Sequence, residues 1–199
     1  MACFTNTCNG RVAEFVNRLG RAAHCLQFEQ GLNPAQWETL RYLARANRYS
    51  RSPTAIAEFL GTTKGTVSQT IRALEAKGYL RRSKDCSDGR AICLEVTDAG
   101  QTVLQQDPIK RLEQAVAALP PETSKAMLTG LGALMGKLQD NCGGRAFGLC
   151  GECGHLREGE EACGSAKAAD SKTQCGLNGD PLNDSDKAQI CVNFRAGTR

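Results

Sequence analysis

The sequence predicts a mainly α protein with one short β-hairpin and a small irregular cysteine-rich segment at its C-terminal end. Three observations carry that expectation. Apolar side chains recur at three- and four-residue intervals over much of residues 11–138, the period falls to two between Tyr79 and Val96, and the composition turns to glycine and cysteine after Asn141. The 199 residues suffice for one good-sized domain with an appendage or for two small ones. The expected division is 1–141 for the helical module and 142–199 for the cysteine-rich part.

Val12, Phe15, Val16, Leu19, Ala23 and Leu26 mark one face of a first amphipathic helix over residues 11–26, with Gly31 ending that stretch. Asn33-Pro34 supplies an N-cap and a first-turn proline for a second helix that buries Trp37, Leu40 and Leu43. Ser52-Pro53-Thr54 opens a short third helix carrying Ile56, Phe59 and Leu60. Gly61 closes it, and Thr62 or Thr63 caps a fourth whose inner face is Val67, Ile71 and Leu74 before Gly78 stops it. Tyr79-Leu80-Arg81-Arg82 and the alternating Ile92, Leu94 and Val96 then read as two strands around the polar turn 85–90. Helical pattern resumes after Thr97-Asp98, breaks at Pro108, and returns after Pro120-Pro121 with Met127, Leu131, Leu134 and Leu138 on one face.

The formal net charge is +4, and it is unevenly spread. Residues 1–141 carry 18 Lys/Arg against 13 Asp/Glu, residues 142–199 carry 7 against 8, and residues 41–90 alone hold eleven cations against four acids. Such a local excess is the footprint of a polyanion binder. The N-terminus lacks a basic patch followed by an apolar stretch, and no segment approaches the ~18 apolar residues of a membrane helix. A cytoplasmic location is therefore expected. In that reducing compartment eleven cysteines point to metal ligation or redox chemistry rather than structural disulfides.

Helix, turn, helix, hairpin and local positive charge together read as a winged helix-turn-helix. Lys64, Thr66, Ser68, Gln69 and Arg72 are the outward positions of the helix expected to enter the major groove. At the hairpin tip Arg90 is suited to the minor groove, with the Asp88 carboxylate orienting it. The stretches Leu32-Asn33-Pro34-Ala35-Gln36-Trp37, Thr62-Thr63-Lys64-Gly65-Thr66-Val67-Ser68, Leu74-Glu75-Ala76-Lys77-Gly78, Ser87-Asp88-Gly89-Arg90-Ala91 and Leu94-Glu95-Val96-Thr97-Asp98-Ala99-Gly100 resemble the MarR family of transcriptional regulators over roughly residues 10–140. The resemblance implies a homodimer with interlocked terminal helices, a palindromic double-stranded DNA operator, and repression relieved by an inducer. Cys86 stands where the family's wing commonly has a polar residue, and the tail from Cys142 onward is extra.

That tail holds ten glycines and six cysteines in 58 residues and too few long apolar side chains to fold unaided. Cys150-Gly151-Glu152-Cys153 is a C-x2-C knuckle that turns two thiolates toward one site. No second knuckle of the zinc-ribbon kind follows. Cys150, Cys153, Cys175 and Cys191 are the expected metal ligands, with Cys163 the alternative third; their run resembles four-cysteine domains of the high-potential iron–sulfur type. A [4Fe-4S] cluster is the expected cofactor, with structural Zn2+ the alternative. His155 reads as a donor to a ligand sulfur, Cys142 as a free thiol or redox partner, Cys25 as a small core residue, Cys93 as facing solvent on the wing strand, and Cys86 as a tolerated surface thiol. Cys3 and Cys8 have no ligand set.

The expected function is a dimeric DNA-binding transcriptional regulator, a repressor, that senses redox or iron status through the tail. Because the tail continues from the dimerisation helices, its state is expected to act on the spacing of the two reading helices. The alternatives are a regulator with a structural zinc tail and a small-molecule or thiol-oxidation inducer, or an electron-transfer or enzyme component. No P-loop, Rossmann glycine pattern or Ser/His/Asp set supports an enzyme.

Overall fold

The computed structural model describes residues 7–83, 93–142, 147–158 and 173–197. Helix α1 (Cys8–Cys25) is capped by Thr7, whose hydroxyl accepts from Gly10 N at 3.2 Å. It starts three residues before the expected position, because that cap lies upstream of the first apolar periodic residue. α2 (Pro34–Arg45) begins with a capping box: Asn33 Oδ1 accepts from Gln36 N at 2.9 Å, and Gln36 Oε1 accepts from Asn33 N at 3.2 Å. Ser52 caps α3 (Pro53–Phe59) and Thr63 caps α4 (Lys64–Ala76). The turn between them passes through Gly61 at φ +60°, a left-handed conformation that glycine adopts without a Cβ clash.

Strands β1 (Leu80–Ser83) and β2 (Cys93–Val96) pair antiparallel, Leu80 opposite Val96 and Ser83 opposite Cys93. α5 (Asp98–Leu104), α6 (Lys110–Ala117) and the 22-residue α7 (Pro121–Cys142) follow. Trp37, Leu40 and Leu43 of α2, Ile56 of α3, Val67, Ile71 and Leu74 of α4, Leu80 and Leu94 form the shared core. Arg41 crosses from α2 to Asp107 with a two-pronged ion pair, Nε–Oδ2 2.6 Å and Nη2–Oδ1 3.0 Å, and also donates to Gln27 Oε1. These bonds tie the segments beyond α1 and α5 to the core. No helix among the described residues is long and apolar enough to cross a membrane.

Two cysteines sit otherwise than expected. Cys93 is 2% exposed rather than facing solvent: β2 runs along the α2–α3 connection, where Leu94 N donates to Arg51 O at 2.9 Å. Cys25 is exposed rather than in the core, because no residue of α1 is buried within the chain.

The tail forms two more antiparallel pairs. β3 (Gly148–Leu149) pairs with β6 (Ile190–Cys191), and β4 (Leu156–Glu158) pairs with β5 (Thr173–Cys175), with a 3-10 turn at Cys150–Glu152 and helix α8 (Asp184–Lys187) beside them. β6 makes a parallel bridge from Ile190 to Ala46, at the end of α2. Ile190, 7% exposed, joins the core of the helical module, and Phe147, Leu149 and Val192 pack against it. The tail thus answers its shortage of apolar residues by borrowing the module's core. A ring cluster of Tyr42, Phe59 and Phe147, with centroids 4.5–6.5 Å apart, extends the same seam.

A Cβ at Gly100 would stand 2.7 Å from Val96 Cγ1 and against the Tyr79 carbonyl, which is backbone and cannot swing away. Gly100→Ala is expected to cost about 1–3 kcal/mol of stability in chemical denaturation. Ile190→Ala is expected to lower the stability of the helical signal in circular dichroism by ~2–5 kcal/mol. An unchanged helical transition would mean that the tail folds as an independent unit.

Candidate functional site

Helix α4 buries Val67, Ile71 and Leu74 and turns Lys64, Thr66, Ser68, Gln69 and Arg72 to solvent, as its period demands. Thr66 N is taken by Thr63 Oγ1 at 3.2 Å, and the two hydroxyls lie 2.9 Å apart, so the cap holds Thr66 in place. Among the described residues, Lys64, Ser68, Gln69 and Arg72 have no side-chain hydrogen-bond or ion-pair partner.

Much of the positive charge counted along 41–90 is spent inside the molecule. Arg41 is paired with Asp107, Arg48 with Asp180 at 2.8 Å, Arg81 with Glu95 at 2.7 Å, and Arg82 with Glu75 at 2.7 Å. Glu75 holds the Arg82 guanidinium above its ordinary pKa, and Arg81 lowers the Glu95 carboxyl. Arg51 Nε donates to Ala46 O at 3.0 Å, and Lys77 Nζ binds Gly31 O and Gln36 Oε1. Among the described cations of this stretch, Arg45, Lys64 and Arg72 remain unpaired. The last two lie on α4. Asp88, Arg90 and Cys86 of the wing tip lie outside the described residues.

The second constellation is in the tail. Cys150, Cys153, Cys175 and Cys191, expected as a ligand set, line one cavity together with Asn47, Tyr49, His155, Leu156, Leu177, Asn178, Leu182 and Asn193. The 3-10 turn sets Cys150 at its start and Cys153 just past its end, while Cys175 and Cys191 end β5 and β6. Hydrogen bonds aim at the sulfurs: Asn47 Nδ2 donates to Cys150 Sγ at 3.4 Å and Arg195 N to Cys153 Sγ at 3.5 Å. A sulfur–sulfur hydrogen bond pushes the Cys150 thiol up and the Cys191 thiol down, with burial adding to the first and opposing the second. The Asn47 amide lowers both.

Among the described residues, no group of three or more His, Cys, Asp or Glu side chains is arranged to hold a single metal ion. The four thiols line one cavity, with Cys150 and Cys191 in sulfur–sulfur contact. Four thiols lining one cavity, with N–H groups of Asn47 and Arg195 aimed at two of the sulfurs, are soft donors of the kind that hold a thiophilic metal or an iron–sulfur cluster. Cys163 lies outside the described residues, as does Cys3; Cys142 ends α7, and its side chain is likewise outside them.

Asn47 and Tyr49 belong to this site although they sit in the helical module, 103 residues from Cys150 in the case of Asn47. No local signal in Ala46-Asn47-Arg48-Tyr49-Ser50 announces a cysteine site. Asn47 in isolation is a turn residue, and its Oδ1 does accept from Tyr49 N at 3.1 Å.

The α2–α3–α4–β1–β2 arrangement defines a winged helix-turn-helix protein with an added four-cysteine segment. Residues 30–91 match the family model described as MarR family. Two relatives from Bacillus subtilis (strain 168) are similar to parts of the chain: the HTH-type transcriptional regulator YwaE, 32% identical over 89 residues that make up 43% of this chain and 50% of the relative, and the HTH-type transcriptional repressor YetL, 30% identical over 77 residues, 39% and 46%. The chain thus spans about half the length of these curated relatives. Both carry descriptions of regulators, not of enzymes. The S. aureus MepR–DNA complex superposes with a TM-score of 0.54 at 24% identity, covering 67% of this chain and 97% of that one, which shares the fold.

Proposed function

We propose that the chain is a MarR-type DNA-binding transcriptional regulator, a repressor acting as a homodimer, whose tail holds a [4Fe-4S] cluster on Cys150, Cys153, Cys175 and Cys191 and thereby makes operator affinity depend on redox or iron status. The observation that carries the sensing part is the meeting of these four cysteines, drawn from separate segments, around one cavity that abuts the helix-turn-helix.

For the DNA part, the support is the exposed polar face of α4 with its two unpaired cations, together with the family match over residues 30–91. Val12, Phe15 and Leu19 of α1 and Leu131, Met135 and Leu138 of α7 are each 43–55% exposed. Apolar stripes of that size on two long helices suit burial against a second copy. Two copies reading a palindrome need their α4 helices one helical turn of DNA apart, roughly 34 Å. A bound cluster supplies a redox-active centre whose loss changes the charge and geometry at four sulfurs. The chain's own part is to place those sulfurs, to donate N–H groups from Asn47 and Arg195 to two of them, and to screen the site with Leu156, Leu177 and Leu182.

Arg72→Ala is expected to weaken binding to a selected duplex and, where Arg72 meets a phosphate, to reduce the log–log salt slope by about 1, read by fluorescence anisotropy across a salt series. Protein purified without oxygen is expected to show broad visible absorption with about four irons and four sulfides per chain, and Cys153→Ala to lose both while keeping the helical spectrum. A colourless wild-type protein with one zinc per chain would replace the cluster by a structural metal.

A further inference from the structure

We infer that Asn47 and Ser50, in the connection between α2 and α3, form the relay through which the four-cysteine cavity acts on the helix-turn-helix. The inference rests on the cluster reading above and names the route of its regulation. It differs from the expectation that the tail works through the dimerisation helices from which it continues.

Both residues are buried, Asn47 at 7% exposure and Ser50 at 0%, so their polar atoms must find partners in the protein. Asn47 Nδ2 donates to Cys150 Sγ at 3.4 Å, and its Oδ1 accepts from Ser50 Oγ at 2.6 Å. Ser50 Oγ in turn accepts from Val192 N at 2.8 Å, the residue after Cys191. Asn47 N donates to Ile190 O at 2.9 Å, the residue before it. The backbone on both sides of Cys191, and the sulfur of Cys150, are therefore fastened to one short connection. A turn-forming role accounts for the Oδ1 bond to Tyr49 N but not for an amide aimed at a sulfur 103 residues away.

The other end of the relay is the reading module. Tyr42 OH donates to Ser50 O at 2.8 Å inside the core, Arg51 O accepts from Leu94 N of the wing strand, and Ser52 caps α3, which packs on α4. A metal-bound thiolate carries negative charge and accepts the Asn47 N–H more strongly than a thiol does. When the metal leaves, the sulfur returns to a thiol, whose bond to Asn47 Nδ2 is long at 3.4 Å and weak. The connection that sets the start of α3 and the base of the wing is then free to rearrange.

The test uses the full-length chain, loaded anaerobically or stripped of iron, and a duplex selected from a random-sequence library by the wild-type protein. Wild type is expected to differ between loaded and stripped forms by roughly 5- to 150-fold in duplex affinity. Amide hydrogen exchange over residues 47–60 is expected to be slower in the loaded form. Asn47→Ala is expected to take up iron and sulfide but to bring the two affinities within about twofold of each other and erase the exchange difference. Ser50→Ala, which keeps the Asn47 amide near Cys150 and cuts the link to Val192, is expected to do the same and decides the matter if Asn47→Ala does not load. Variants that load the cluster and keep the wild-type ratio overturn the relay and leave sensing intact. A wild type that takes up no cluster, or whose two forms bind alike, overturns the sensing function and the relay with it.

Discussion

The parallel bridge between Ile190 and Ala46, with the hydrogen bonds around it, is the contact on which the architecture of this chain depends. It places β6 against the end of α2, seats an isoleucine in the core of the helical module, and brings Cys191 and Cys150 up to Asn47. A segment with two- and three-residue strands and a four-residue helix cannot exclude enough water to order itself. By sharing a core with α2, α3 and β2, it obtains apolar burial that its own composition lacks.

The same contact joins two kinds of chemistry. On one side lies a helix whose Lys64, Gln69 and Arg72 are free to meet a polyanion; on the other, four thiols meet in a cavity. Between them runs a connection of a few residues in which Ala46, Asn47 and Ser50 are buried and the last two are hydrogen-bonded to the tail. In the proposed relay, few polar groups lie between Cys150 and the first residue of α3.

The electrostatics are leaner than the count of cations suggests. Ion pairs with Asp107, Asp180, Glu95 and Glu75 neutralise four arginines and use them as fasteners between segments. What remains on α4 is sparse positive charge with hydroxyl and amide neighbours.

The helical module was legible from the sequence because its information is local. Caps at Asn33, Ser52 and Thr63, the stop at Gly61 and the change of period after Gly78 each act within a few residues, and the helices start where those caps put them. The four cysteines that line the cavity could be picked out as candidates as well, since a C-x2-C knuckle and two later cysteines need only composition and spacing to be noticed. Tertiary structure alone decided where the tail docks, that Cys93 is covered and Cys25 exposed, which arginines are spent, and that Asn47 faces Cys150. Each of those depends on contacts between residues far apart in the chain, and periodicity carries no information about which distant surface will cover a given face.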